Sequence, residues 1–235
     1  MSAGKQGPEF PGFPAGMLLF LDELANNNHR PWFQENKQRY QDLVANPALD
    51  FIAAMAEPLA DISKHFEAIP RRSGGSLMRV YRDTRFGPDK TPYKTNVGIQ
   101  FRHVLARDIH APGFYLHMEP AEVFVGVGSW RPDRGALAKI RQRIAEKPKY
   151  WQALEQDKVF AGEFDFSGDS LKRAPRGFDP EHPLIETLKR KDFIALKHFP
   201  ARDIESPVFF EAVSASFRNG LPLMRFLCDA LELKI

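Results

Sequence analysis

Cysteine is almost missing from this chain. Cys228 stands alone among 235 residues, so no intrachain disulfide can form and packing must hold the fold. A lone thiol fits a reducing compartment. Long apolar runs are also missing. The longest near the start, Met17–Leu21, stops after five residues at Asp22, whereas a membrane-spanning helix needs about 20 and a signal-peptide core at least about 7. The chain therefore reads as soluble and cytoplasmic, with no membrane partner. The phosphate-loop pattern G-x-x-x-x-G-K-[ST], the dinucleotide pattern G-x-G-x-x-G after a strand and the nucleophile elbow G-x-S-x-G are all absent, which removes three common routes to a reaction class. Tyr and Trp are scarce, 5 and 3 against 20 Phe. That balance predicts an aromatic core rather than exposed rings on which nucleic-acid bases could stack.

What is present is ordinary in amount and uneven in placement. Hydrophobic residues make up 43% and charged residues 27%, the composition of a globular chain rather than a disordered one. The net charge is +3. Between Arg71 and Asp108, however, there are nine Lys or Arg and three Asp, a surplus of six, so the rest of the chain carries a net −3. A local field of that kind attracts phosphate, carboxylate or a nucleic-acid backbone. A solvated charged loop is the plainer alternative.

Hydrophobic periodicity divides the chain into helical ends and a stranded middle. Residues 1–16 are rich in Gly and Pro and read as a disordered or loosely docked tail, followed by one domain over 17–235. Helical spacing runs through Leu18–Ala25, from Pro31 to Val44, and from Pro47 to Ile62. Period-two alternation then marks Leu77–Arg82, Val97–Arg102, Phe114–Glu119 and Val123–Gly128. The later connections are too short for crossover helices, so the strands form an antiparallel meander. Helices return at Arg134–Glu146, after Pro148 and at Leu184–Lys191. Residues 161–182 read as loop, Phe193–Phe199 as a strand, and Pro207–Phe217 and Leu221–Leu233 as helices. The expected fold class is α+β, an antiparallel sheet flanked by N-terminal and C-terminal helices.

The densest chemistry lies between Arg79 and Thr95. Arg79, Arg82, Arg85, Lys90 and Lys94 share this stretch with Asp83, Asp89, Pro88, Pro92 and Tyr93. Arg offers a planar fork to carboxylate or phosphate and Lys a point charge, while the two prolines restrict the loop. The residues Arg79, Arg82, Asp83, Arg85, Phe86, Lys90 and Tyr93 form a spaced pattern that resembles the signature of the bacterial "domain of unknown function 2461" family. The segments Leu24–Tyr40, Gly113–Glu119 and Val125–Pro132 resemble it too, so the likeness covers about residues 17 to 233. It implies a single soluble domain with no established activity.

A second cluster falls on the strands. Tyr115, His117 and Glu119 share one strand face, and Gly98, Gly126 and Gly128 leave neighbouring strands bare if the register aligns them. The alternative is that a helix packs on those glycines or that they mark bulges. His117 and Glu119 are two possible metal ligands without a third, so no metal site is read, and no cofactor is implied. His103 and His110 share no mechanical spacing with His117.

Three readings compete. In the first, a small anionic ligand, phosphate- or carboxylate-bearing, is held by Arg82, Arg85, Lys90 and Lys94, with Arg79 and Tyr115 also counted among the candidate ligand-binding residues. Tyr93 or His117 then handles a proton, and Asp83 or Glu119 orients it; no reaction class is fixed. In the second, the same basic loop binds nucleic acid, which the small total charge disfavours. In the third, ion pairs Arg82–Asp83 and Arg85–Asp89 pin the loop of a non-catalytic structural or interaction domain. The sequence names no oligomeric state.

Overall fold

The computed structural model describes residues 10–85, 88–105 and 112–235. The first helices are α1 (Gly16–Asn26), α2 (Arg30–Glu35) and α3 (Lys37–Tyr40), followed by a π turn at Gln41–Ala45 and then α4 (Asn46–Ala54) and α5 (Ala56–Ile62). The sequence reads α2, α3 and the π turn as one helix and α4–α5 as another; the α2–α3 break falls at Asn36, and proline explains the π turn and the α4–α5 break. Pro47 has no N–H to donate and its ring crowds the preceding turn, which here opens into the π turn. Pro58 likewise cannot donate to Ala54, where α4 ends.

The stranded middle follows as β1 (Phe66–Glu67), β2 (Val97–His103), β3 (Gly113–Met118) and β4 (Val123–Ser129). Next come α6 (Arg134–Glu146), α7 (Pro148–Glu155), α8 (Lys158–Glu163), β5 (Asp165–Ser167), α9 (Ile185–Lys189), β6 (Phe193–Phe199), α10 (Pro207–Asn219) and α11 (Leu221–Ala230). The sheet order is β1-β2-β3-β4-β6-β5, every neighbour antiparallel. The expected α+β class and meander hold, with β6 returning to sit beside β4.

One face of the sheet is closed by helices. Ile99, Phe101, Phe114, Leu116, Val125 and Val127 point into it and are buried with Phe51, Val213, Phe217 and Leu223. Rings meet across the layers, Phe114 and Phe101 lying 5.0 and 5.6 Å from Phe217. Gly220, between α10 and α11, comes so near β4 that a Cβ there would sit 2.7 Å from a Val127 methyl. The Phe surplus is thus core, as its excess over Tyr and Trp predicts.

Two expectations need correction. The N-terminal segment is not loose from residue 10 onward. Phe10 and Phe13 are buried against Phe51, Phe209 and Phe210, and the Phe13 N–H donates to the Ile204 carbonyl at 2.8 Å. Gly and Pro suggest freedom, but burying two aromatic rings outweighs the ordering cost; residues 1–9 lie outside the described residues. Within 161–182, β5 replaces part of the expected loop. Three residues are too few to show a period, and the pairing comes from β6.

Candidate functional site

Residues 76–78 run along the free edge of β2. The Met78 N–H donates to the Gly98 carbonyl (2.9 Å) and the Gln100 N–H to the Ser76 carbonyl (2.8 Å). Residues 77–82 therefore make isolated bridges, Leu77 to Ile99 and Tyr81 to Tyr93, rather than the continuous strand the alternation predicts. Beyond them the chain folds into a hairpin closed by Arg82 N–H to Pro92 O (2.9 Å) and Lys94 N–H to Val80 O (2.7 Å).

The hairpin's tip spends its charge on itself. Arg82 pairs with Asp89 and also donates to the Thr91 hydroxyl at 2.6 Å. Arg85 lays its fork on Asp83, Nε to Oδ1 at 2.9 Å and Nη2 to Oδ2 at 2.7 Å. Lys90 Nζ donates to the Thr84 carbonyl at 2.7 Å. The ion pairs expected from the sequence, Arg82–Asp83 and Arg85–Asp89, are exchanged. Asp83 also accepts the backbone N–H of Arg85, a two-residue turn that sets it beneath that side chain, while the hairpin folds Asp89 back to Arg82. Arg85 holds the Asp83 carboxyl well below the usual carboxylate range. The Asp89 carboxyl drops to about 2, chiefly through the Thr91 N–H and hydroxyl and then through Arg82. Both pairs are solvent-exposed, and Phe86 lies outside the described residues.

Tyr93 anchors the hairpin's base instead of facing a ligand. It is buried and stacks on Phe33 at 4.0 Å. Asn28 clamps its backbone from α2's approach, accepting its N–H at 3.0 Å and donating to its carbonyl at 2.9 Å.

Arg79 behaves differently. It lines a cavity of about 170 Å³ between α2–α3 and residues 77–81, together with Lys37, Arg72, Tyr40 and Tyr81 over a floor of Phe33 and Leu77. No Asp or Glu lines this cavity. Arg72 donates to the Asn46 side-chain carbonyl at 2.7 Å. Among the described residues, Lys37, Arg72 and Arg79 take part in no ion pair within 4.0 Å. Burial pushes the Tyr40 phenol up to about 12 against the opposing pull of Arg72. Lys94 is half-buried, and burial followed by repulsion from Arg79 lowers its ammonium pKa. Lys37, Tyr40 and Arg72 lie outside the motif, and Tyr81 falls inside it between Arg79 and Arg82. The sequence signals for them are the Leu24–Tyr40 likeness and the charge surplus that includes Arg72, and neither points to a shared cavity.

The sheet's other face carries the second cluster. The register sets Gly98, His117, Phe124 and His198 in one row across the strands, and Gln100, Tyr115, Gly126 and Leu196 in the next. The Tyr115 hydroxyl lies 3.1 Å from His117 Nδ1, and Asn96 Nδ2 lies 3.4 Å from the same nitrogen. The His117 ring lies flat on Phe124, 4.7 Å away and inclined by 7°. Burial is the main cause lowering the His117 pKa, partly offset by Glu119 and Glu122. Burial pushes the Tyr115 phenol up to about 12, so it stays protonated. A cavity of about 230 Å³ opens beside Tyr115, lined by Met78, Gln100, Phe124, Gly126 and Trp130 among others.

The three glycines of this face do different things. A Cβ on Gly98 would lie 2.7 Å from the Tyr115 hydroxyl, so Gly98 makes room for that side chain. Gly128 sits at φ +123°, where a Cβ would strike the Phe193 carbonyl. Gly126 and Gly128 both line the cavity, and at Gly126 a Cβ would meet first a Leu196 methyl at 3.3 Å. His103 lies elsewhere, bonded to the Lys234 carbonyl at 2.8 Å, and His110 lies outside the described residues.

With this geometry in hand, comparison with known proteins gives a family. The family model described as "Conserved hypothetical protein (DUF2461)" matches residues 16–226. The chain belongs to that family. No curated protein and no solved structure matches the chain. Among the described residues, no single helix is long and apolar enough to cross a membrane.

Proposed function

We propose that this protein binds a small anionic ligand, phosphate- or carboxylate-bearing, in the cavity walled by Lys37, Arg72 and Arg79. One observation carries it: three cations surround a hollow that no carboxylate lines. Bringing like charges together without a counter-charge costs free energy, and an anion in the hollow removes that cost. Arg72 and Arg79 supply forks and Lys37 a point charge. Lys94, crowded by Arg79, adds to the field. Tyr40, held protonated, can donate to an anionic oxygen. Arg82, Asp83, Arg85 and Lys90 bond within the hairpin tip rather than to the ligand. A reducing, cytoplasmic setting belongs to the same reading, supported by Cys228 standing alone and unpaired.

Thermal unfolding in the presence of inorganic phosphate, a phosphate monoester and a dicarboxylate tests this. A ligand that binds the folded state raises Tm by mass action. We expect at least one of the three to raise it, the rise to be lost in Arg79→Ala and kept in Arg82→Ala. No rise with any of them, or an equal rise in Arg79→Ala, rejects the anion pocket and leaves a structural or interaction role. Binding of a nucleic-acid oligomer that weakens steeply with salt would instead support the competing partner class.

A further inference from the structure

We propose that His117, Glu119 and Glu122 hold a divalent transition-metal ion. One ligand atom from each of the three lies within 4.8 Å of the others. An ion bonded at about 2.0–2.2 Å sets its ligands roughly 3–3.6 Å apart. His117 Nε2 and Glu119 Oε2 are already 3.6 Å apart, so only the exposed Glu122 side chain must swing inward.

The backbone explains why these three meet. β3 and β4 are joined by a tight turn in which the Glu119 N–H donates to the Glu122 carbonyl at 3.0 Å. The turn makes the two glutamates cross-strand neighbours. His117, two residues before Glu119, falls on the same face. Carboxylates directly opposite each other repel. Among the described residues no Lys or Arg pairs with either one: Glu119 faces His117, and Glu122 reaches only His198 at 4.0 Å.

A second observation concerns the imidazole itself. His117 Nε2 is fully buried and has no hydrogen-bond partner among the described residues. The other nitrogen, Nδ1, is engaged by Tyr115 and Asn96, and Phe124 holds the ring flat. A ligating imidazole is oriented in this way by an outer partner on one nitrogen while the other meets the metal. At 3.6 Å the Glu119 carboxylate is too far to complete a hydrogen bond to Nε2, and a buried polar atom left short of one is costly. A metal ion removes both that cost and the repulsion between the glutamates. One imidazole and two carboxylates balance a 2+ charge and suit Zn²⁺ or Mn²⁺ better than the all-oxygen sites of Mg²⁺ and Ca²⁺. Three protein ligands leave a coordination position for water, on the side of the sheet where Tyr115 lines the larger cavity. The site shares no residue with the basic cavity, so it stands whether or not that cavity binds an anion.

Tag-free full-length chain, stripped with a chelator and dialysed against Zn²⁺, Mn²⁺ or Co²⁺, tests the assignment by metal counting. We expect one equivalent per chain for at least one ion, and a ligand-field absorption band with Co²⁺. Glu119→Gln and Glu122→Gln should each abolish saturable uptake while leaving Tm in the metal-free state unchanged or higher, because a repulsion is relieved. Tyr115→Phe should weaken affinity by about 10–100-fold. Arg79→Ala should leave the stoichiometry at one. Failure of the wild-type chain to take up any of the three ions, or uptake unchanged in both glutamate variants, overturns the metal site.

Discussion

The hairpin tip and the cavity wall draw on the same run of positive charge and use it in opposite ways. At the tip, Arg82, Arg85 and Lys90 are satisfied by Asp89, Asp83 and a carbonyl within a few residues of themselves. At the wall, Arg79 looks into a hollow with Arg72 and Lys37 and meets no acid lining it. Charge counted along a sequence therefore overstates what is offered to a partner. Only cations that the fold keeps apart from their own carboxylates create a field that a ligand can answer. The two regions are joined at Tyr93, which is buried under the hairpin and stacked on Phe33.

The largest expected effect comes from cutting that joint. Tyr93→Ala should cost about 3–5 kcal/mol, as for other large aromatic truncations, read as a lower denaturant midpoint at unchanged slope. A loss under about 1 kcal/mol would mean that the wall and the tip do not share an anchor. Next in size is an alkaline effect confined to the wall. The Tyr40 phenol is raised to about 12 in the folded chain against about 10 when unfolded. The folded state therefore favours the protonated form, and the associated stability is fully present below about pH 10 and is lost as pH rises through 12. That linkage is worth about 3 kcal/mol. Tyr40→Phe should flatten the corresponding part of the stability profile; an unchanged profile would show that the phenol is not desolvated there.

On the acid side the sign reverses and the tip responds. Asp89 is depressed to about 2 in the folded chain, so its contribution is present above about pH 4 and fades as pH falls through 2. Asp89→Asn should remove that slope while leaving the alkaline limb alone. The smallest effect belongs to Arg82→Ala. Its partner pair is open to water, with side-chain exposures of 37% and 52%, and exposed pairs add little. Its Tm should stay within the scatter of the wild type. A marked drop would show that the hairpin depends on its own ion pairs.

How much was legible in the sequence follows from the range of the forces involved. β2, β3, β4 and β6 alternate over six or seven residues each, long enough for burial on one face to leave a period, and their positions are readable. β1 and β5 are shorter than any period and exist through their partners. Of the site, Tyr115, His117 and Glu119 are readable together because alternate positions along a strand share a face. Glu122 completes the cluster only because the β3–β4 turn is tight. Tyr93 illustrates the opposite case: its place in the motif suggested contact with a ligand, yet an aromatic ring at the base of a hairpin is drawn to the nearest apolar layer. Asp192 left no signal at all. It is buried and accepts the N–H groups of Arg131 (2.7 Å) and Asp169 (2.8 Å), which lie 61 and 23 residues away. Such a bracket between two loops depends on their meeting in space.

The borders of the sheet have a consequence for how molecules of this protein meet. β1 spans two residues and β5 three, while residues 76–78 occupy a further stretch of β2's outer side. Among the described residues, a foreign strand seeking a template finds only short rows of free amides and carbonyls at either margin. Crowded solutions should therefore resist fibre seeding and strand exchange even though the sheet's interior is rich in valine and phenylalanine.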